Sequence, residues 1–158
     1  MDQQAMDRQR ALFRHGFALL TLGFVIGGAV GGMGGGPRAR LFLGSHVTAL
    51  LVGLLVIAVG VVWPRLVLGA RGASVAYATT VWGNWIGAVV LGLFAPAIGF
   101  PSKISTPELP QPAAWANAIV GLGLVSVTVT TFVMCGLVLH GLRPATPRVE
   151  ERSALAQG

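Results

Sequence analysis

The sequence predicts an all-α integral membrane protein: a four-transmembrane-helix bundle with both termini cytoplasmic. Three observations predict it. Hydrophobic residues make up 54% of the 158 and charged residues only 10%, against about 25% charge in a soluble domain. Three stretches carry no Asp, Glu, Lys or Arg: Phe42 to Trp63, Gly72 to Pro101 and Leu109 to Leu142. Each holds an apolar run of about 20 residues, enough to cross a hydrocarbon core of about 30 Å. Gly is also abundant, at 23 residues, as it is in membrane helices.

The elements follow in order, and the length favours one domain. Residues 1–11 form a polar N-tail. The first span covers roughly 12–33, too long for the apolar core of a signal peptide and without a small-x-small cleavage site. Gly34-Gly35-Gly36-Pro37, then Arg38 and Arg40, make a short first loop. The second span covers 42–63. Pro64-Arg65 and Arg71-Gly72 bracket the second loop, and the third span runs over 73–98. Pro101, Pro107, Pro110 and Pro112 mark a longer third loop, since proline lacks the helical donor and clashes with the preceding turn. The fourth span covers 114–142, and residues 144–158 form a flexible tail.

The basic residues set the orientation. Arg8, Arg10, Arg14, Arg65, Arg71, Arg143, Arg148 and Arg152 fall on one side of a four-span topology, against Arg38, Arg40 and Lys103 on the other. The richer side belongs in the cytoplasm, which places the chain in the inner (cytoplasmic) membrane with its termini inside. The net charge of +6 is therefore topological. The cations are scattered at helix ends with no basic stripe, so no nucleic-acid partner is expected. Gly23, Gly27 and Gly31 on the first span, and Gly83 and Gly87 on the third, recur every fourth residue. Such rows let helix backbones approach closely, within one chain or between subunits.

Polar residues inside the spans are the candidate functional groups, because a polar group in hydrocarbon is costly. They are His46, Asn84, Asn117, Tyr77 and the hydroxyls from Ser126 to Thr131. Serine and threonine can bond the preceding turn's carbonyls, so that run reads as structural. His46, Asn84 and Asn117 are placed to meet in the outer half of the bilayer beneath the proline-rich loop. With the aromatic residues around them they would make a pocket for a small amphipathic ligand. His46 reads either as an interfacial hydrogen-bonding residue or as a metal or heme ligand. His15 and His140 read as interfacial residues, and the single Cys135 as a buried small hydrophobe. No carboxylate lies in any span, which argues against a proton-coupled exporter. Triad and zinc chemistry lack the necessary residues.

The chain resembles the hydroxylaminobenzene mutase family over roughly residues 12–143. The resemblance is carried by Pro37-Arg38 through His46, Trp63-Pro64-Arg65-Leu66, Trp82-Gly83-Asn84-Trp85, Trp115, Leu137-Val138-Leu139 and Gly141-Leu142-Arg143. It is more distantly similar to bacterial styrene oxide isomerase through His15-Gly16, His46, Trp82 and Asn84. Val52 and Ala88 stand where that isomerase has Asn and Tyr. The resemblance implies a membrane-bound isomerase that converts aryl hydroxylamines to aminophenols, a Bamberger-type rearrangement. It implies a heme b cofactor acting as a Lewis acid, with His46 as axial iron ligand. Asn84 would be a catalytic residue orienting substrate. Trp82 and Trp85 would line the cofactor site, and Trp85, Asn117 and Trp115 the substrate pocket. The implied partners are a small aromatic substrate, the lipid bilayer and further copies of the chain, a trimer by analogy. Epoxide isomerisation is the alternative activity. A non-catalytic heme-binding subunit and a small permease are the alternatives of other kinds.

Overall fold

The computed structural model describes residues 3–98 and 112–143. The proline-rich loop with Lys103, and the tail 144–158, lie outside the described residues. Every described element is helical, and four helices are long and apolar enough to cross a membrane. They are α1 (Gln3–Gly31), α2 (Pro37–Val62), α3 (Ala70–Ile98) and α4 (Ala114–Gly141). A helix is the economical answer to these sequences, because hydrocarbon offers no partner for an unpaired backbone group. The hydroxyls follow the same constraint. Ser45, Thr48, Thr80, Thr128 and Thr130 each donate to the carbonyl four residues earlier.

α1 and α2 begin earlier than the predicted spans. α2 starts at Pro37, a favoured residue for a first helical turn, so Arg38 and Arg40, expected in the first loop, are helical. α1 begins at Gln3, so most of the predicted N-tail is helical. Its polar first turns are held laterally: Arg8 donates to Ser74 Oγ at 2.9 Å and Gln9 to the Gly60 carbonyl at 3.0 Å. The turn between α1 and α2 needs its glycines, since Gly34, Gly35 and Gly36 have φ of 65°, 85° and 104°. Such left-handed values are strained for residues with a Cβ. At the opposite end, Trp63–Arg65 form a 3₁₀ turn after α2. The Val67 N–H donates to the Gly141 carbonyl at 2.8 Å, tying the α2–α3 connection to the end of α4.

The helices pair as two hairpins, α1 on α2 and α3 on α4, which meet mainly where α3 leans on α2. The α1–α2 seam is built on glycine. A Cβ on Gly53 would lie 3.0 Å from the Gly16 carbonyl oxygen, and one on Gly23 would lie 2.8 Å from the Leu50 side chain. Gly83 does the same for the second hairpin, where a Cβ would meet Thr130 Cβ at 2.8 Å. Between the hairpins lies a core that includes Leu12, Leu19, Val56, Val59, Trp63, Val81 and Met134. Trp63 meets Tyr77 edge-on there, with ring centroids 6.2 Å apart. Cys135, expected to be buried, is exposed on α4.

α3 is not a uniform α-helix. Gly87–Phe94 forms an eight-residue π-helix, and Ala95–Ile98 resumes the α-helix around Pro96. A proline inside an α-helix clashes with the carbonyl four residues earlier, here that of Gly92. The wider π turn just before Pro96 falls where that conflict arises.

The seam makes a prediction. Gly53→Leu should cost about 1–3 kcal/mol, the usual cost of overpacking, and lower the melting temperature in detergent. Gly28→Leu should not, because a Cβ there meets nothing within 4 Å.

Candidate functional site

His46 sits on the face of α2 that packs against α1. Its Nδ1 lies 2.7 Å from the Gly23 carbonyl oxygen. A Cβ on Gly27 would come within 2.6 Å of the same nitrogen, so the imidazole occupies space that glycine leaves open. A carbonyl oxygen only accepts hydrogen bonds, so Nδ1 carries the proton in this contact. In a neutral ring with that tautomer, Nε2 is bare. Nothing bonds Nε2 among the described residues, and the side chain is half-buried. An Nδ1–H held by a backbone carbonyl is the arrangement that orients metal-ligating histidines.

The other two histidines are placed differently. His15 Nδ1 accepts from the Trp85 indole N–H at 3.2 Å, with the two rings edge-on. Its lone pair is already engaged, and it ties α1 to α3. His140 is exposed in the last turn of α4. Of the three, His46 alone combines a fixed ring with an open nitrogen.

His46, Asn84 and Asn117 make no hydrogen bond to one another among the described residues. His46 is one residue from Ser45, which lies level with Gly92 of α3: a Cβ on Gly92 would sit 4.0 Å from Ser45 Cβ. Asn84 is eight residues from Gly92, roughly two helical turns away along α3. It is 8% exposed and donates to the Thr80 carbonyl at 2.6 Å. Asn117 lies near the start of α4, where its Nδ2 reaches the Pro112 carbonyl at 3.5 Å. Its Oδ1 is buried without a partner among the described residues. The tryptophans divide as well. Trp85 faces inward to His15, whereas Trp82 and Trp115 are 67% and 62% exposed. Trp115 leans on Phe94, with centroids 6.2 Å apart.

The structure shows a cleft that the sequence reading did not anticipate. It lies between α2 and α4 with the π-helix as its floor, and encloses about 430 Å³. Leu41, Ser45 and Thr48 line one wall, Val120 and Leu124 the other, and Leu91 and Gly92 the floor, with Arg40 at one end. Pro96 together with Gly92 and Gly121 is the sequence signal that could have located it.

No group of three or more His, Cys, Asp or Glu gathers among the described residues. A metal cage built from side chains is therefore not available there. A macrocyclic cofactor brings its own in-plane ligands and asks the protein for one or two axial ones. His46, oriented through Nδ1 and open at Nε2, fits that demand.

A four-helix bundle with one oriented histidine defines a class of membrane protein, and comparison with known sequences identifies the family. The chain belongs to the family described as styrene oxide isomerase, whose profile matches residues 8–143. It is 31% identical over 142 residues to hydroxylaminobenzene mutase HabB of Ectopseudomonas oleovorans, covering 88% of this chain and 84% of that protein. No solved structure matches it. The family and the relative make this chain an isomerase.

The His15–Trp85 bond can be weighed directly. A double-mutant cycle with His15→Leu and Trp85→Phe, read by unfolding in bilayer mimetics, should give a coupling of about 0.6–1.7 kcal/mol, the range of hydrogen bonds between membrane helices.

Proposed function

We propose that this protein is a membrane-bound isomerase that converts aryl hydroxylamines to aminophenols, with His46 as the axial ligand of a heme b. The observation that carries the reading is the His46 ring, held through Nδ1 on the Gly23 carbonyl with Nε2 open. The family and the mutase relative supply the reaction class. The reaction is an isomerisation: oxygen leaves nitrogen and returns to a ring carbon, and that carbon's proton is lost as nitrogen regains one. No net oxidation or reduction occurs.

Breaking an N–O bond requires stabilisation of the charge that develops on oxygen. Among the described residues Asp7 is the one carboxylate, at the start of α1, so no carboxylic acid in these spans can protonate that oxygen. A ferric heme held by His46 would supply Lewis acidity in its place. The chain's own part is threefold. Gly23 and Gly27 fix the imidazole plane. The Nδ1–H bond raises the donor strength of Nε2. The apolar helix faces limit trapping of a cationic aryl intermediate by water. Asn84, buried on Thr80, serves in this reading as an orienting group from α3, and Asn117, with an unpaired Oδ1, as an acceptor nearer the Arg40 end.

The reading includes both termini in the cytoplasm, the inner membrane as location, and assembly with further copies, a trimer by resemblance. The half-buried His46 and the outward Trp82 and Trp115 are compatible with neighbouring subunits completing the site. Epoxide opening is the second reading, favoured by the family's description. It makes the same demand, with a C–O bond weakened instead of an N–O bond.

The test is the visible spectrum and turnover of detergent-purified protein. Wild type should show a Soret band and form aminophenol from phenylhydroxylamine. His46→Ala should lose the band and lose about a thousandfold in rate, as expected when a metal's several kcal/mol of stabilisation is removed. Colourless wild-type protein would refute the heme. Turnover of styrene oxide alone would select the second reading.

A further inference from the structure

The π-helix and Pro96 leave the Leu91 carbonyl without its regular helical donor. In the π register each carbonyl accepts from the N–H five residues on, and the last such bond runs from Ala95 N–H to the Val90 carbonyl. The next acceptor, Leu91, would take its donor from Pro96, which has none. The Ala95 N–H, which would serve Leu91 in an α register, is already on Val90. A carbonyl without a donor at membrane depth is tolerated only beside a cavity or a partner that satisfies it.

Leu91 lies on the floor of the cleft between α2 and α4. The hydroxyls near it are engaged: Ser45 donates to Leu41 and Thr48 to Gly44. The walls are apolar, and glycine keeps them open. A Cβ on Gly121 would meet nothing within 4 Å, and one on Gly92 nothing closer than 3.6 Å. Gly44, Thr48, Gly121 and Leu124 are exposed along the rim, so the cleft opens sideways, toward lipid in a membrane. At about 430 Å³ it falls within the range of about 300–1,000 Å³ typical of small-molecule sites. Such a site asks for a flat apolar body bearing a hydrogen-bond donor.

We infer that this cleft captures the aryl hydroxylamine from the bilayer. The ring lies between Leu41 and Leu124, and the hydroxylamine N–H or O–H donates to the Leu91 carbonyl. The inference rests on the isomerase reading for the identity of the ligand. The cleft is a capture site distinct from the histidine, because the His46 ring points to α1 from another face of α2.

The test uses the full chain in lipid nanodiscs and a probe that cannot rearrange. 4-Fluoroaniline keeps the ring and the N–H donors but has no N–O bond, and its binding is followed by fluorine NMR. Saturable binding is expected in wild type and in Gly28→Leu. N,N-dimethyl-4-fluoroaniline, with no donor, should bind about ten-fold more weakly, the effect of one lost hydrogen bond. Gly121→Leu, which fills the cleft from a position with room for it, should weaken 4-fluoroaniline by a similar factor or more. Its KM for phenylhydroxylamine should rise while kcat holds. Equal binding of the two anilines, unchanged binding in Gly121→Leu, or no saturable binding would each overturn the capture site. Saturable, Gly121-sensitive binding by a protein that turns over no hydroxylamine would uphold the cleft as an aryl-amine site and refute the hydroxylamine substrate alone.

Discussion

Gly23 and Gly27 act on one face of α1, and much of the structure depends on what they allow. In lipid no hydrophobic force draws helices together, so association rests on close packing and on the few polar contacts available. Glycines at 16, 23 and 53 bring α1 and α2 to near backbone contact, and those at 27 and 60 leave room for the His46 and Phe13 rings. The same proximity puts the Gly23 carbonyl within reach of His46. A side chain at position 27 would displace that imidazole, so packing and the orientation of the candidate ligand are one constraint. The second hairpin repeats the logic at Gly83 and Thr130.

Span number was legible in the sequence because hydropathy and length report directly on the bilayer. The glycine turn at 34–36 and the end of α2 at Pro64 were legible because each has a local conformational cause. Helix length beyond the membrane was less so: α1 continues back to Gln3 through residues that are polar but still form helix, with Gln3 donating to Asp7 one turn on at 3.4 Å. Hydropathy has no reason to see that extension.

Facing was the part that could not be read. A soluble helix declares its inner face by polarity, but these spans are apolar all round, so Trp82 and Trp85 look equivalent in sequence. The structure turns Trp85 inward onto His15 and leaves Trp82 on the surface. The partner of Asn84 was not legible either: its amide bonds the Thr80 carbonyl of its own helix. The cleft escaped notice because it arises from a register change. Pro96 was visible, but its effect on the preceding turns depends on how α3 packs between α2 and α4.

The proposed chemistry rests on a single histidine whose ring the α1–α2 seam orients through the Gly23 carbonyl. That claim can be tested without any cofactor, by nitrogen-15 NMR of histidine-labelled protein in bilayers. The account predicts that neutral His46 carries its proton on Nδ1 and leaves Nε2 bare, with a hydrogen bond from Nδ1 to a backbone carbonyl. A proton on Nε2, or a ring that samples both tautomers freely, would contradict it.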